Sequence, residues 1–304
     1  MRILVTGAGG FVGAALVRAL AVSHHVIATD RTGLDFADIA NVKALPGDLG
    51  DPTLIEQAAH APLDAIFHLA TIPGGAAEAQ PALGTHINVA AAMALIDAAA
   101  AHGYRPRLVF ASSIAVFGDP LPALVDDDTP ISPMLRYGAH KAMMEEWIAA
   151  MTRRGAVRGL SLRLPAIVAR PKGPSGMKSA FMSDLFHDLK AGQPISLPVS
   201  PDATCWLLSR TTLIRNLVAA LNLADSHADT RLNLPALRVR MGDLVNEVAR
   251  QTGSDPALAS CNPDPAIQAA FGNQPPLFTP RADALGLHHD GDLATLVRHA
   301  LADI

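Results

Sequence analysis

The 304-residue chain is predicted to fold as an α/β protein, a doubly wound parallel sheet with a smaller carboxyl-terminal lobe. Three observations predict it. Short apolar runs alternate with Ala- and Leu-rich stretches of helical length as far as residue 164, the rhythm of parallel strands joined by crossover helices. The first run ends in a glycine cluster, Gly7, Gly9, Gly10 and Gly13. After Pro165 the texture changes to a stretch rich in Pro, Gly, Ser and Lys over 170–202, and no regular alternation returns until about residue 204.

Each element follows from its own residues. Arg2 to Thr6 carries Ile3, Leu4 and Val5 and reads as a buried strand, and an Ala/Leu/Val-rich helix follows over 11–22. Strands are expected at His25 to Thr29, Ala65 to Leu69, Arg107 to Ala111 and Leu160 to Leu164, with helices over 52–60, 84–102 and 135–154. Right-handed crossovers wind such units onto both faces of one sheet. Beyond Pro165, helices are expected at 179–191, 211–223, 241–252 and 291–303, with a strand near 231–235 and Pro-rich linkers at 262–280. The chain contains no internal repeat.

The run TGAGGFVG at 6–13 places a tight glycine turn between a strand and a helix. Backbone N–H groups and the positive end of the helix dipole then face one point, where a pyrophosphate is favoured. Side chains at Gly7 or Gly10 would block that approach. The next strand ends at Asp30, about 20 residues on, where a carboxylate accepts hydrogen bonds from an adenosine ribose and repels a 2′-phosphate. NAD is therefore the expected cofactor, although a guanidinium at Arg31 would suit NADP. In such Rossmann sheets ligands bind at the carboxyl ends of the strands, which nominates GDLGD at 47–51, FHLAT at 67–71 and Asn88. Asp48 fits a place beside the adenine, but it equally fits a cap for the helix starting at Pro52. His68, inside an apolar strand, reads as a packed core residue.

Composition excludes several functions. A hydrophobic content of 50% with 17% charged residues excludes disorder, and a net charge of −4 argues against nucleic acid. Cys205 and Cys261 have no partners at metal or redox spacing, and a reducing cytoplasm is the expected compartment. The start MRILVTG holds too few consecutive apolar residues for a signal-peptide core. The Ala-rich run from Ala90 to Ala101 is interrupted by Asp97 and is expected to fall short of a membrane span. The histidine pairs at 24–25 and 288–289 lack metal-ligand spacing, so no metal is expected.

Tyr137 and Lys141 stand four residues apart in RYGAHKAMMEEW, 24 residues and more beyond Ser113 in FASSIAVFG. Positions i and i+4 share a helix face. A phenol titrates near 10, so acting as a base near pH 7 requires lowering it by about three pH units, about 4 kcal/mol. One ammonium at about 4 Å supplies on the order of 4 kcal/mol at an effective dielectric of about 20. A single lysine therefore suffices, and Ser113 would hydrogen-bond the reacting oxygen. Tyrosine occurs only twice in the chain, which makes this placement hard to attribute to chance.

Taken together, TGAGGFVG, Asp30, Asp48, HLA at 68–70, Asn88, Ser112 and Ser113, and the Tyr137/Lys141 pair resemble the extended branch of the short-chain dehydrogenase/reductase superfamily. RLNLPALRVRMGDLV at 231–245 extends the resemblance over nearly the whole chain. Phe11 stands where the shorter branch requires glycine. The resemblance implies that Ser113, Tyr137 and Lys141 are catalytic, with Lys141 also holding the nicotinamide ribose. It implies that NAD is bound by Gly7, Gly10, Phe11, Val12, Asp30, Asp48, Leu49, Leu69, Ala70, Asn88, Tyr137, Lys141, Pro165 and Ile167. It further implies a dinucleotide-binding domain of residues 1–168, rejoined by 204–234, and a substrate-binding lobe of 169–203 and 235–304. The helices at 84–102 and 135–154 resemble those that pair two subunits in this superfamily, so a homodimer is expected.

Departures from the family pattern point to the substrate. Sugar-nucleotide members place an Asn after the sixth strand and an Arg later to hold the diphosphate. Here RLPAI puts Ala166 at the first place, and TCWLLSRTT puts Cys205 or Trp206 near the second. Losing both anchors costs a diphosphate ligand several kcal/mol, at about 1.5 to 3 each. RLPAIVARPKGPSG, FASSIAVFGDPLPA and LNLPALRV resemble sugar-acid dehydrogenases of the superfamily, which oxidise the 2-hydroxyl of a four-carbon acid such as D-erythronate with NAD. Such an acid needs a cation. Arg210 is the preferred partner, with Ser113 and Tyr137 at the hydroxyl and with Arg170, Lys172 and Lys178 as further choices. A nucleotide-sugar epimerase or dehydratase with tightly held NAD is the alternative, and a dinucleotide-sensing regulator the third reading.

Overall fold

The computed structural model describes residues 1–304 except 174–176 and 226–229. Twelve strands are described: β1 (Arg2–Thr6), β2 (His25–Asp30), β3 (Val42–Pro46), β4 (Ala65–His68), β5 (Arg107–Ser113), β6 (Arg158–Leu164), β7 (Ala166–Val168), β8 (Ile195–Leu197), β9 (Thr204–Ser209), β10 (Arg231–Asn233), β11 (Leu237–Arg240) and β12 (Ala259–Cys261). The chain forms two compact units. The first comprises Met1–Val116, Pro133–Arg163 and Ile214–Leu232, and the second Phe117–Ser132, Leu164–Leu213 and Asn233–Ile304.

The first unit is built on a seven-stranded sheet of order β10-β6-β5-β4-β1-β2-β3. The pairs β1 with β2, β1 with β4, β2 with β3 and β4 with β5 are all parallel. Strand order reverses between β1 and β4, so the loops leaving those two strands diverge and open a crevice at their carboxyl ends. Ile3, Leu4, Val5, Ile66, Phe67, Leu108 and Val109 are essentially inaccessible, as strands covered on both faces must be. One covering helix, Phe11–Ala21, buries Leu16, Val17 and Leu20 on a single face. Arg136–Arg153 buries Lys141, Met144, Glu145 and Ile148.

The helix expected over 84–102 runs as Pro81–Ala100 and is long and apolar enough by length and composition to cross a membrane. The expectation for Ala90–Ala101 covered only the second half of this helix, which gains its length from the residues before Ala90. Half of the stretch is buried, with Val89, Ala92, Leu95, Ile96 and Ala99 in the core, the pattern of a core helix. It is interrupted by a π-helical turn at His86–Ala91.

The second unit carries a three-stranded sheet of order β11-β9-β7 and a two-stranded sheet of β12 and β8. Its core gathers Leu185, Phe186, Leu189, Leu207, Leu244, Val248, Leu296 and Val297 around these sheets. The expected domain bounds change. Residues 117–132, 164–168, 204–213 and 233–234, expected with the first domain, lie in the second unit, where β9 pairs with β11 antiparallel and with β7 parallel. The stretch expected as linkers over 262–280 contains the helix Pro265–Phe271, whose N-cap Asp264 accepts from Ala266 and Ile267 N–H. Proline at the first helical position is compatible with a helix, so the Pro-rich composition concealed it.

Candidate active site

The turn after β1 is shaped by glycine at two places. Gly7 has φ +71°, and a Cβ there would stand 2.7 Å from the Ala70 nitrogen, so the ends of β1 and β4 meet only because that side chain is absent. Thr6 seals the junction: its carbonyl accepts from Leu69 N–H and its hydroxyl from Ala70 N–H. Gly10 differs. A Cβ at Gly10 would meet only the Gly7 oxygen, at 3.3 Å, so protein packing alone leaves room for it. Gly10 is also the N-cap of Phe11–Ala21, with no side-chain cap and no acidic residue in the first turn. A helix start with no side-chain cap and no carboxylate in its first turn fits a pyrophosphate. Phe11 and Val12 form that first turn.

Asp30 ends β2 with its carboxylate oriented by two backbone donors, Gly9 N–H at 3.1 Å and Arg31 N–H at 2.7 Å. Those bonds fix the group beside the glycine turn and leave lone pairs for ribose hydroxyls. Asp48 accepts from Gly50 N–H and lies 4.0 Å from Arg31 Nη1. The helix cap is Asp51, which accepts from Thr53 N–H, so Asp48 is not the cap that its sequence position equally suggested. Leu49 is buried in the core among Leu4, Ile27 and Ile55. Asn88 clasps the loop after β4: its amide oxygen accepts from Ile72 N–H at 2.7 Å and from the Thr71 hydroxyl, and its nitrogen donates to Ile72 O.

At the end of β5, the Ser113 hydroxyl accepts from Ala115 N–H at 3.1 Å. Tyr137 and Lys141 lie on the helix Arg136–Arg153, Tyr137 half-buried and Lys141 buried. Lys141 Nζ sits 5.4 Å from the centre of the Tyr137 ring and 4.6 Å from that of Phe110, within cation–π range. Burial pushes the Lys141 amine down to about 7, opposed by the charge of Glu145. His68 stacks on Phe110 and shares a 2.8 Å hydrogen bond with the Thr6 hydroxyl through Nδ1. Burial, then the charge of Lys141, push it down to about 3, so it is a neutral packed residue, as its apolar strand suggested.

A network behind the lysine escaped sequence reasoning. Glu145 is fully buried and accepts from Arg163 Nε at 3.0 Å and Nη2 at 2.8 Å and from the Ser112 hydroxyl at 2.5 Å. The available signals were a Glu four residues beyond Lys141 and an Arg inside an apolar strand, where a charge requires a partner.

The expected residues Pro165, Ile167 and Arg210 belong to the second unit. Arg210 Nη2 meets Asp303 Oδ1 at 2.6 Å, an ion pair that anchors the final helix, and Lys172 pairs with Asp188. Trp206 and Cys205 are sealed in the core, the indole donating to Pro275 O at 2.7 Å and the thiol to Phe271 O. Burial pushes that thiol up to about 12. Among the described residues no group of three or more His, Cys, Asp or Glu could hold a metal.

Comparison with known proteins accords with this geometry. The model of the NAD dependent epimerase/dehydratase family matches residues 3–227. The chain belongs to that family. D-erythronate dehydrogenase of Cupriavidus necator is 34% identical over all of this chain and 98% of its own length. The Haemophilus influenzae D-erythronate dehydrogenase is 31% identical over 83% of each chain. The crystal structure described as a nucleoside-diphosphate-sugar epimerase from Agrobacterium tumefaciens is 29% identical, with a TM-score of 0.87 over 98% of this chain and 92% of that one. As a member of the epimerase/dehydratase family the protein is an NAD-dependent oxidoreductase with the Rossmann sheet described above. The glycine turn, the uncapped helix start and Asp30 are the parts of this chain that fit the dinucleotide.

Proposed function

We propose that the protein oxidises the 2-hydroxyl of a small sugar acid such as D-erythronate to the 2-oxo acid, with hydride transfer to NAD. The observation that carries the choice of substrate class is the sealing of Cys205 and Trp206 in the second unit's core. Near the place where, by the family resemblance, sugar-nucleotide members offer an arginine to a diphosphate, this chain has two side chains whose polar atoms are engaged inside its own core. The identity to two D-erythronate dehydrogenases supports the same reading.

The chemistry needs a proton acceptor and a hydride acceptor. NAD, when bound, supplies the second. Tyr137 takes the hydroxyl proton as the carbon–hydrogen pair departs, and Ser113 holds the same oxygen by a hydrogen bond. Lys141, on the tyrosine's helix face, stabilises the phenolate form of Tyr137 that accepts this proton. His68 stays neutral and adds no second positive charge beside it. We also propose a homodimer through the helices Pro81–Ala100 and Arg136–Arg153, the second of which exposes Met143. Light scattering in solution would test it.

The alternative, a nucleotide-sugar epimerase or dehydratase, is favoured by the 29%-identical structure bearing an epimerase description. One assay separates the two. Mixing the protein with NAD and a panel of four-carbon hydroxy acids should produce NADH absorbance, and Tyr137→Phe should abolish it. No NADH from any acid, with turnover of a UDP-sugar instead, would transfer the assignment to the alternative.

A further inference from the structure

Parallel strands start at one edge of a sheet and end at the other. Ligand chemistry collects at the carboxyl ends, where Gly7, Asp30 and Ser113 lie. The opposite edge is where β1, β4, β5 and β6 begin, at Arg2, Ala65, Arg107 and Arg158. A cavity of about 230 Å³ opens there within the first unit, lined by Asp64, Ala65, Tyr104, Arg105, Arg107 and Arg158 among others. β5 is seven residues long, so at about 3.3 Å per residue this cavity lies roughly 20 Å from Ser113.

Its charges are unbalanced. Arg107 is buried, with Nε donating to Ala220 O at 3.0 Å and Nη1 meeting Asp225 Oδ1 at 3.2 Å. Arg158 Nη1 approaches the same Oδ1 at 3.8 Å, so one carboxylate serves two guanidiniums. Asp64, the other carboxylate at the cavity, already accepts from Arg2 N–H at 2.6 Å. Arg105 meets no carboxylate within 4.0 Å among the described residues. It is also the single non-glycine residue described with positive φ, +48°, ahead of Pro106, a conformation that costs on the order of 1 kcal/mol. Three arginines thus line, with one engaged carboxylate, Asp64, a space large enough for a small molecule, and the nearby Asp225 is already shared by two of them. Guanidinium forks match oxyanions bidentately, and the Tyr104 hydroxyl adds a donor at the rim.

We propose that this cavity binds a small oxyanion of two or more negative charges, a phosphate or a short dicarboxylate, at a site separate from that of NAD. Arg105 and Arg158 supply the forks, and Arg107 sets the potential from below. Isothermal titration of the full chain, with phosphate and in a second series with succinate, at ionic strength held constant by sodium chloride, tests it. Saturable binding near one ion per chain is expected in at least one series, unchanged by saturating NAD and weakened about tenfold or more in Arg105→Ser, the worth of one charged hydrogen bond. A response to phosphate alone identifies a phosphoryl ligand, and a response to succinate alone a carboxylate ligand. Absence of saturable binding in both series, displacement by NAD, or undiminished binding in a folded Arg105→Ser/Arg158→Gln variant would overturn the site. Neither variant touches Ser113, Tyr137 or Lys141, so the outcome is independent of the catalytic proposal.

Discussion

Lys141 Nζ lies 4.6 Å from the centre of the Phe110 ring, in an environment that shields it from water. The ring attracts a cation weakly, and burial outweighs the opposing charge of the Glu145 carboxylate, leaving the amine at about 7. The lysine therefore weakens the fold that carries it. An unfolded lysine keeps its proton to about 10.4, so between about 7 and 10.4 the unfolded chain binds more protons than the native one, and native stability rises with pH across that window. Below it the burial cost is fully present, on the order of 5 kcal/mol. Lys141→Met should therefore raise the melting temperature of the NAD-free protein at pH 6, with an advantage that shrinks toward pH 10, while abolishing activity. Melting curves of both proteins at several pH values check this, and parallel pH profiles would contradict it.

The two glycines of the turn should respond differently to alanine. Gly7→Ala forces a Cβ to 2.7 Å from a backbone nitrogen at positive φ, so a loss of about 1 to 3 kcal/mol of stability is expected. Gly10→Ala meets nothing in the protein closer than 3.3 Å. Its stability should change by less than about 1 kcal/mol, while NAD affinity falls about tenfold or more. Denaturation and NAD titration of both variants separate packing from ligand approach.

Cofactor preference should rest on Asp30. Its carboxylate is held by Gly9 and Arg31 N–H groups, and Arg31 leans toward Asp48 at 4.0 Å. Asp30→Ser removes the repulsion of a 2′-phosphate and leaves Arg31 beside it. The ratio of kcat/KM for NAD over NADP is expected to fall by about tenfold to a hundredfold, on the order of 1.4 to 3 kcal/mol. An unchanged ratio would move the selectivity elsewhere.

Much of the first unit was legible because its signals are local. An apolar run, a glycine cluster and a helix sit within 20 residues of one another, and each is decided by near neighbours. β1, β2, β4, β5 and β6 lie where their apolar residues placed them, and the Tyr137/Lys141 pair shares one helix as its spacing required. β3 was missed because Val42–Pro46 is largely exposed and mixes Lys and Pro with apolar residues. The strand β9 was assigned to the wrong unit because its partners, β7 and β11, are set by tertiary pairing that no periodicity records. The ion pair of Arg210 with Asp303, 93 residues away, is likewise a tertiary contact that no local pattern records.

That pair makes its own prediction. Arg210 and Asp303 are both mostly buried at the side chain, 23% and 11% exposed, and the bond ties the start of the helix Arg210–Ala220 to the chain's last turn. Arg210→Ala should lower stability by about 1 to 3 kcal/mol, the range for a charged hydrogen bond, with KM for a sugar acid changed less than about twofold. A large rise in KM with unaltered stability would restore Arg210 to the substrate.

Glu145 is the centre of a larger dependence. It neutralises Arg163 through two nitrogens and takes the Ser112 hydroxyl, all three residues being buried. Removing one partner of such a pair leaves a charge in the interior, at a cost of about 3 to 5 kcal/mol, whereas replacing both with apolar residues of similar size is often close to neutral. Glu145→Leu alone should therefore destabilise strongly, and Arg163→Met in the same chain should recover most of the loss. Activity offers a separate readout. Glu145 also supports the charge on Lys141, so the double variant should stay folded while its lysine loses its proton at lower pH, shifting the alkaline limb of the kcat/KM profile downward. A folded double variant with an unshifted profile would confine Glu145 to a structural part.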